Sequence, residues 1–176
     1  MVPNRSFRLL VALLALLFAL PALAGREDDA QRASKNGKTT GTIGGAEVSI
    51  EYGRPKVKGR EIWGGLVPYG KVWRTGADEA TTITFSCDVT IEDQKLAAGT
   101  YALFTVPGAD QWQFVFNRVA EQWGAYRHDA KEDALRVAAQ PSSSEHVEAM
   151  QFAIDGSQVM LHWEKLAIGF SVEAGC

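Results

Sequence analysis

From Glu47 onward, apolar and polar residues alternate along the chain with a period of two. Val48, Ile50 and Tyr52 alternate with Ser49 and Glu51, and Ile83 and Phe85 with Thr82, Thr84 and Ser86. Trp112, Phe114 and Phe116 share a second such face, leaving Gln113, Val115 and Asn117 on the other. The pattern returns at Leu135 and Val137, at Met150, Phe152 and Ile154, at Val159, Leu161 and Trp163, and at Ile168, Phe170 and Val172. A period of two places alternate side chains on opposite faces of a strand, so each run predicts a strand with one buried face. Asp155-Gly156 sits between two of the runs and predicts a hairpin, while Ala97-Ala98-Gly99 and Pro107-Gly108 predict further turns. The stretch nearest to a helical stripe, 125–135, is mostly polar. These elements predict an all-β domain over 47–176: an antiparallel β-sandwich, jelly-roll-like or Ig-like, of about eight or nine strands.

Two segments depart from the alternation. Residues 53–79 contain six Gly and two Pro, and residues 118–133 form a second long polar stretch. Connections of that length are uncommon in a compact domain unless they do something. A functional site is therefore expected where these two loops meet. Residues 25–46, polar and aperiodic, predict a flexible lead-in to the domain.

The first 24 residues read as a secretory signal peptide. Arg5 and Arg8 make the positive start, an unbroken apolar run follows from Leu9 to Leu20, and Ala22-Leu23-Ala24 supplies the small-x-small cleavage pattern. A run of about a dozen apolar residues falls short of the roughly 20 that span a bilayer. The expected mature chain, 152 of the 176 residues, is a periplasmic or secreted protein with no stable membrane insertion. Loss of the two arginines takes the formal net charge from −3 to −5, which argues against a nucleic-acid partner. An oxidising compartment permits a Cys87–Cys176 disulfide; the alternative is a buried Cys87 acting as a small hydrophobe beside a frayed C-terminus.

The chemistry on offer is concentrated in the first loop. Lys71 and Arg74 are cations, Asp78 and Glu79 are acids, and Trp63, Tyr69 and Trp73 are flat apolar faces. A guanidinium fork matches a carboxylate or phosphate, and an aromatic face beside it suits a sugar or another ring. The competing structural reading has Arg74 paired internally with Asp78 or Glu79, and the aromatics capping the core.

Arg54-Pro55, Lys58-Gly59-Arg60, the run from Gly64 to Thr81, residues 99–104 and residues 122–126 resemble the bacterial domain-of-unknown-function family 2911. The resemblance covers about 50–172, and its most specific stretch is 67–76. It implies an exported bacterial protein with a mainly β fold, and no established activity, substrate or cofactor. Position by position, it marks Arg54, Lys71, Arg74, Glu79, Thr81 and Asn117, with Trp123 and Tyr126 in the second loop. Asp78 departs from that pattern, where Asn is expected; Cys87 departs as well.

Other chemistry is thinly represented. Of His128, His146 and His162, only His128 has an adjacent acid, Asp129, and that is weak spacing for a metal. A Gly-x-Ser-x-Gly elbow is missing, the Gly-rich stretches lack a Gly-Lys-Ser/Thr followed by a helix, and Ser142-Ser143-Ser144 after Pro141 reads as a solvated turn. The expectation is therefore a cofactor-free binding or interaction module of the cell envelope, taking a small polar ligand or an envelope carbohydrate. Its candidate site is Arg54, Lys71, Trp73, Arg74, Asp78, Glu79, Thr81, Asn117, Trp123 and Tyr126. The alternatives are a hydrolase-like enzyme with Glu79 as acid/base, facing Glu121, Asp129 or Asp133, and a structural domain with no ligand.

Overall fold

The computed structural model describes residues 29–176, so the expected signal peptide lies outside the described residues. Among the described residues there are ten strands: β1 (Lys35–Ile43), β2 (Ala46–Arg54), β3 (Thr81–Phe85), β4 (Val89–Ile91), β5 (Gln94–Leu96), β6 (Gly99–Val106), β7 (Trp112–Asn117), β8 (Asp133–Ala139), β9 (Ser142–Asp155) and β10 (Gln158–Ala174). They form two antiparallel sheets, ordered β1-β2-β3-β6-β7-β8 and β5-β4-β10-β9. The fold is an all-β sandwich.

The alternating residues do what their spacing predicts. Val48, Ile50, Ile83, Phe85, Leu103, Phe114 and Phe116 from the larger sheet meet Met150, Leu161, Ile168, Phe170 and Val172 from the smaller in one buried core. Phe170 fixes the sheet-to-sheet contact, with ring centroids 4.9 Å from Phe114 and 5.3 Å from Phe116, both edge-on. One end of the sandwich is closed by four indoles. Trp63 from the first loop packs edge-on against Trp112 of β7 and Trp163 of β10, and Trp73 stacks on Trp163 at 5.8 Å.

Three expectations are corrected. The described part of the expected flexible lead-in is largely strand: β1 pairs with β2 along its whole length. The cause is Tyr52, whose hydroxyl meets Thr39 Oγ1 at 3.1 Å and accepts the Phe152 amide at 3.1 Å, while Thr39 donates to the Phe152 carbonyl at 3.0 Å. Few apolar side chains mark β1, because a polar junction with β9 helps to hold it. The two runs expected at 159–163 and 168–172 are one strand, β10, whose register shifts twice around Glu164; Glu164 has φ 56°. Ser142 and Ser143 start β9 opposite Ala167 and Leu166 instead of forming a turn. The short β4–β5 hairpin escaped the pattern altogether; its two-residue turn, Glu92-Asp93, has both φ values positive, as a tight hairpin demands.

The larger sheet is covered on both faces at β6 and β7. Leu103 and Phe116 point into the sandwich, whereas Ala102, Phe104 and Val115 form a second buried cluster with Ala80 on the far side. Val72 of the first loop and Ala125 of the second pack against it. Both long loops thus have an apolar reason to lie on the same face.

Cys87 and Cys176 form a disulfide with a Cα–Cα distance of 5.9 Å across 89 residues of sequence. It ties the β3–β4 turn to the end of β10, beside a Gly175 amide that donates to the Asp88 carbonyl at 2.8 Å. Closing a loop of that size removes on the order of 4 kcal/mol of unfolded-chain entropy. The double variant Cys87→Ser/Cys176→Ser is expected to lose about that much stability in urea denaturation, while the far-ultraviolet spectrum of the native state stays unchanged.

Candidate functional site

The first loop is held by main-chain bonds along much of its length. Val57 donates to the Glu148 carbonyl (2.8 Å), Val67 to Ile62 (2.8 Å) and Gly70 to Pro107 (2.8 Å). Beyond the end of β3, Trp73 takes its place beside β6, exchanging two hydrogen bonds with Thr105 at 2.8 and 2.9 Å. The chain then turns sharply, and Thr81 closes the turn by donating its amide to the Arg74 carbonyl (3.1 Å) and its hydroxyl to the Thr75 carbonyl (2.8 Å). Thr75 is fully buried with φ 54°, an unusual backbone for a β-branched residue, and its hydroxyl donates to Thr105 Oγ1 at 3.2 Å. The turn lies flat on the end of β2 because residue 53 is glycine: a Cβ there would sit 2.3 Å from the Ala77 carbonyl oxygen. Asp78 has φ 63°, a conformation that Asp and Asn tolerate best among non-glycine residues, so Asp and the Asn expected at that position both suit the backbone.

The two loops meet. Ala80 donates to the Gln122 carbonyl at 2.9 Å and Gly124 to the Asp78 carbonyl at 3.0 Å, bridging Glu79 to Trp123 as a short antiparallel pair. The second loop is organised around Asn117, fully buried at the end of β7. Its amide nitrogen donates to the Asp129 carbonyl (3.0 Å) and to Asp133 Oδ1 (2.8 Å), and its oxygen accepts from the Val119 amide (3.1 Å) and Gln122 Nε2 (3.0 Å). Asp133 also meets His128 Nε2 at 2.9 Å and accepts from Arg136 at 2.6 and 2.9 Å. Burial works against its charge, but the hydrogen bonds from Asn117, Arg136 and His128 outweigh that and hold its carboxyl below the ordinary 3.8. The His128 ring packs edge-on against Phe104 at 5.1 Å, seating the loop on the outer apolar cluster.

Between the loops lies a cleft of about 280 Å³, lined by Leu66, Pro68, Lys71, Val72, Trp73, Arg74, Ala125 and Tyr126. Tyr126 is 86% exposed, and its ring lies back over Gly124, where a Cβ would come within 2.8 Å of it. Arg74 Nε is buried yet has no hydrogen-bond partner.

The acids beside Arg74 are engaged elsewhere, which corrects the internal Arg74–Asp78 or Arg74–Glu79 pair. Arg32, just after a 3-10 turn over Asp29–Gln31, holds both Glu79 oxygens in a fork and lies 3.6 Å from Asp78 Oδ2. Its side chain is only 7% exposed. With both oxygens occupied by a guanidinium, the Glu79 carboxylate is poorly placed to shuttle a proton.

Of the residues singled out in the sequence, Lys71, Trp73, Arg74 and Tyr126 come together in the cleft. The others do not line it. Arg54 donates to the Met150 carbonyl at 3.2 Å and ties β2 to β9. Thr81 and Asn117 are buried organisers of the two loops, Asp78 and Glu79 bind Arg32, and Trp123 is exposed outside the cleft. Sequence reasoning missed Arg32 and, of the cleft walls, Leu66, Pro68, Val72 and Ala125. The legible hint for the latter two was the unbroken apolar stretch 101–104, which a one-sided strand does not need. Among the described residues, no group of three or more His, Cys, Asp or Glu is placed to hold a metal ion.

The lowered Asp133 carboxyl makes a pH prediction. Because the unfolded chain takes up that proton first on acidification, the stabilisation is complete above about pH 4 and is lost as pH falls through the lower folded value. Asp133→Asn is expected to cost about 1–3 kcal/mol at pH 7. In thermal melts from pH 7 to pH 2, the gap between the two proteins should close below pH 4.

Comparison with known proteins gives a family and no more. Neither a curated protein nor a solved structure matches the chain. The model of the family described as protein of unknown function (DUF2911) matches residues 34–172, which takes in nine strands, all but the last two residues of β10, both loops and the cleft. The chain belongs to the DUF2911 family.

Proposed function

We propose that this chain is an exported binding module of the cell envelope, and that the cleft between its two loops takes a small polar ligand. The observation that carries the reading is Arg74: a guanidinium in a concave site, with its Nε buried and unpartnered. Among the described residues no carboxylate pairs with this guanidinium, and an acidic group on a ligand would supply that partner. The neighbouring strained turn at Thr75 is further support, since backbone strain persists where the surroundings hold a site in shape. Export is supported by the signal-like sequence of residues 1–24 and by a disulfide, which persists in oxidising compartments. At about 280 Å³ the cleft sits at the lower edge of ligand-pocket sizes, room for one ring and a head group.

A thermal-shift panel of envelope sugars, peptidoglycan fragments and organic anions tests the reading on wild type and Arg74→Ala. A compound present at a hundred times its Kd adds about 2.7 kcal/mol, roughly 5–10 °C for a domain of this size. The expected result is a shift of that order in wild type, absent in a folded Arg74→Ala protein. No shift with any compound, or equal shifts in both proteins, would refute it.

A further inference from the structure

Resting on the cleft being a binding site, we infer that its ligand class is a small organic anion: a single ring carrying a carboxylate or phosphate. The lining is one-sided chemically. Among the described residues its charged groups are the Lys71 ammonium and the Arg74 guanidinium, and no carboxylate or side-chain amide stands with them. A neutral sugar presents hydroxyls that need acceptors as much as donors, and among the described residues the only side-chain acceptor in the lining is the Tyr126 hydroxyl. An anion asks only for donors, and Arg and Lys supply donors alone.

The nearby acids do not pair with Arg74. Glu79 and Asp78 are bound by Arg32, so the guanidinium of Arg74 is left for a ligand. Arg32 engages both acids, although it comes from the start of the described chain and does not line the cleft itself. A folded protein with net charge −5 over residues 25–176 would otherwise repel an anion, so the local arrangement must overcome the global one.

The remaining walls specify the body of the ligand. Leu66, Pro68, Val72 and Ala125 are apolar, and Tyr126 presents an aromatic ring at 86% exposure on the opposite loop. With the head group on Arg74 and Lys71, a ring can lie against Tyr126 and the rim of Trp73, which excludes bare inorganic phosphate as the best-fitting ligand.

Matched probes test the inference: N-acetylmuramic acid against N-acetylglucosamine, glucuronate against glucose, and glucose 6-phosphate against glucose. Titration calorimetry gives the affinity, and tryptophan emission reports the site, because Trp73 lines the cleft and stacks on Trp163. At least one anionic member is expected to bind at least tenfold more tightly than its neutral partner. That preference should shrink in 0.5 M salt, fall severalfold in Lys71→Gln and disappear in Arg74→Gln, with both variants retaining the wild-type melting profile. Comparison of the second and third pairs tells carboxylate from phosphate. Lys71 is exposed, so its variant remains informative even if Arg74→Gln fails to fold. If neutral members bind as tightly as anionic ones and still depend on Arg74, the ligand class is overturned and the site stands. If no probe binds wild type, both the class and the site are overturned.

Discussion

The outer face of β6 and β7 has to be kept from water. Ala102, Phe104 and Val115 are fully buried on that face, although the sandwich core is on the other side of the sheet. Covering Phe104 alone contributes about 1.5–3 kcal/mol, and a half-buried sheet would forfeit it. The two long loops are the cover. Val72 arrives from one and Ala125 from the other, and once both rest on the same apolar floor their backbones are close enough to bond. The cleft is the gap left above the joint, so the pocket is a consequence of double-sided burial at two central strands.

On that floor the polar residues divide into organisers and free chemistry. Asn117, Thr81, Asp133 and His128 spend their hydrogen bonds inside the loops. Glu79 and Asp78 are occupied by Arg32. Among the described residues, what remains unengaged above the floor is the pair Lys71 and Arg74 beside Tyr126. Sorting by partners, rather than by residue type, turns a mixed-charge loop into a cleft of one sign.

Much of the fold was legible because period-two alternation is a local property. Val48 to Tyr52 or Val159 to Trp163 announce their buried face without reference to the rest of the chain. β1 was not legible, since what ties it across to the other sheet is a hydrogen-bond junction of Thr39 and Tyr52 with Phe152, which lies 113 and 100 residues away in sequence. The same holds for the site. Lys71, Trp73 and Arg74 lie in one run of sequence, and Tyr126 in the other loop, but the arginine that grips Glu79 lies 47 residues upstream in a segment without alternation. The internal Arg74–Asp78 pair was the natural guess from spacing, and a left-handed backbone at Asp78 with a distant arginine replaced it.

The central claim is that one apolar floor holds both loops together, and amide hydrogen exchange on a Phe104→Ala variant tests it most directly. The Trp73 amide reports the first loop, the Gly124 amide the second, and the Phe152 amide the sandwich behind them. Removing the ring should lower protection at Trp73 and Gly124 together, by a similar factor, while Phe152 keeps its wild-type protection. Loosening of one loop with the other unchanged, or unchanged protection in both, would contradict the account.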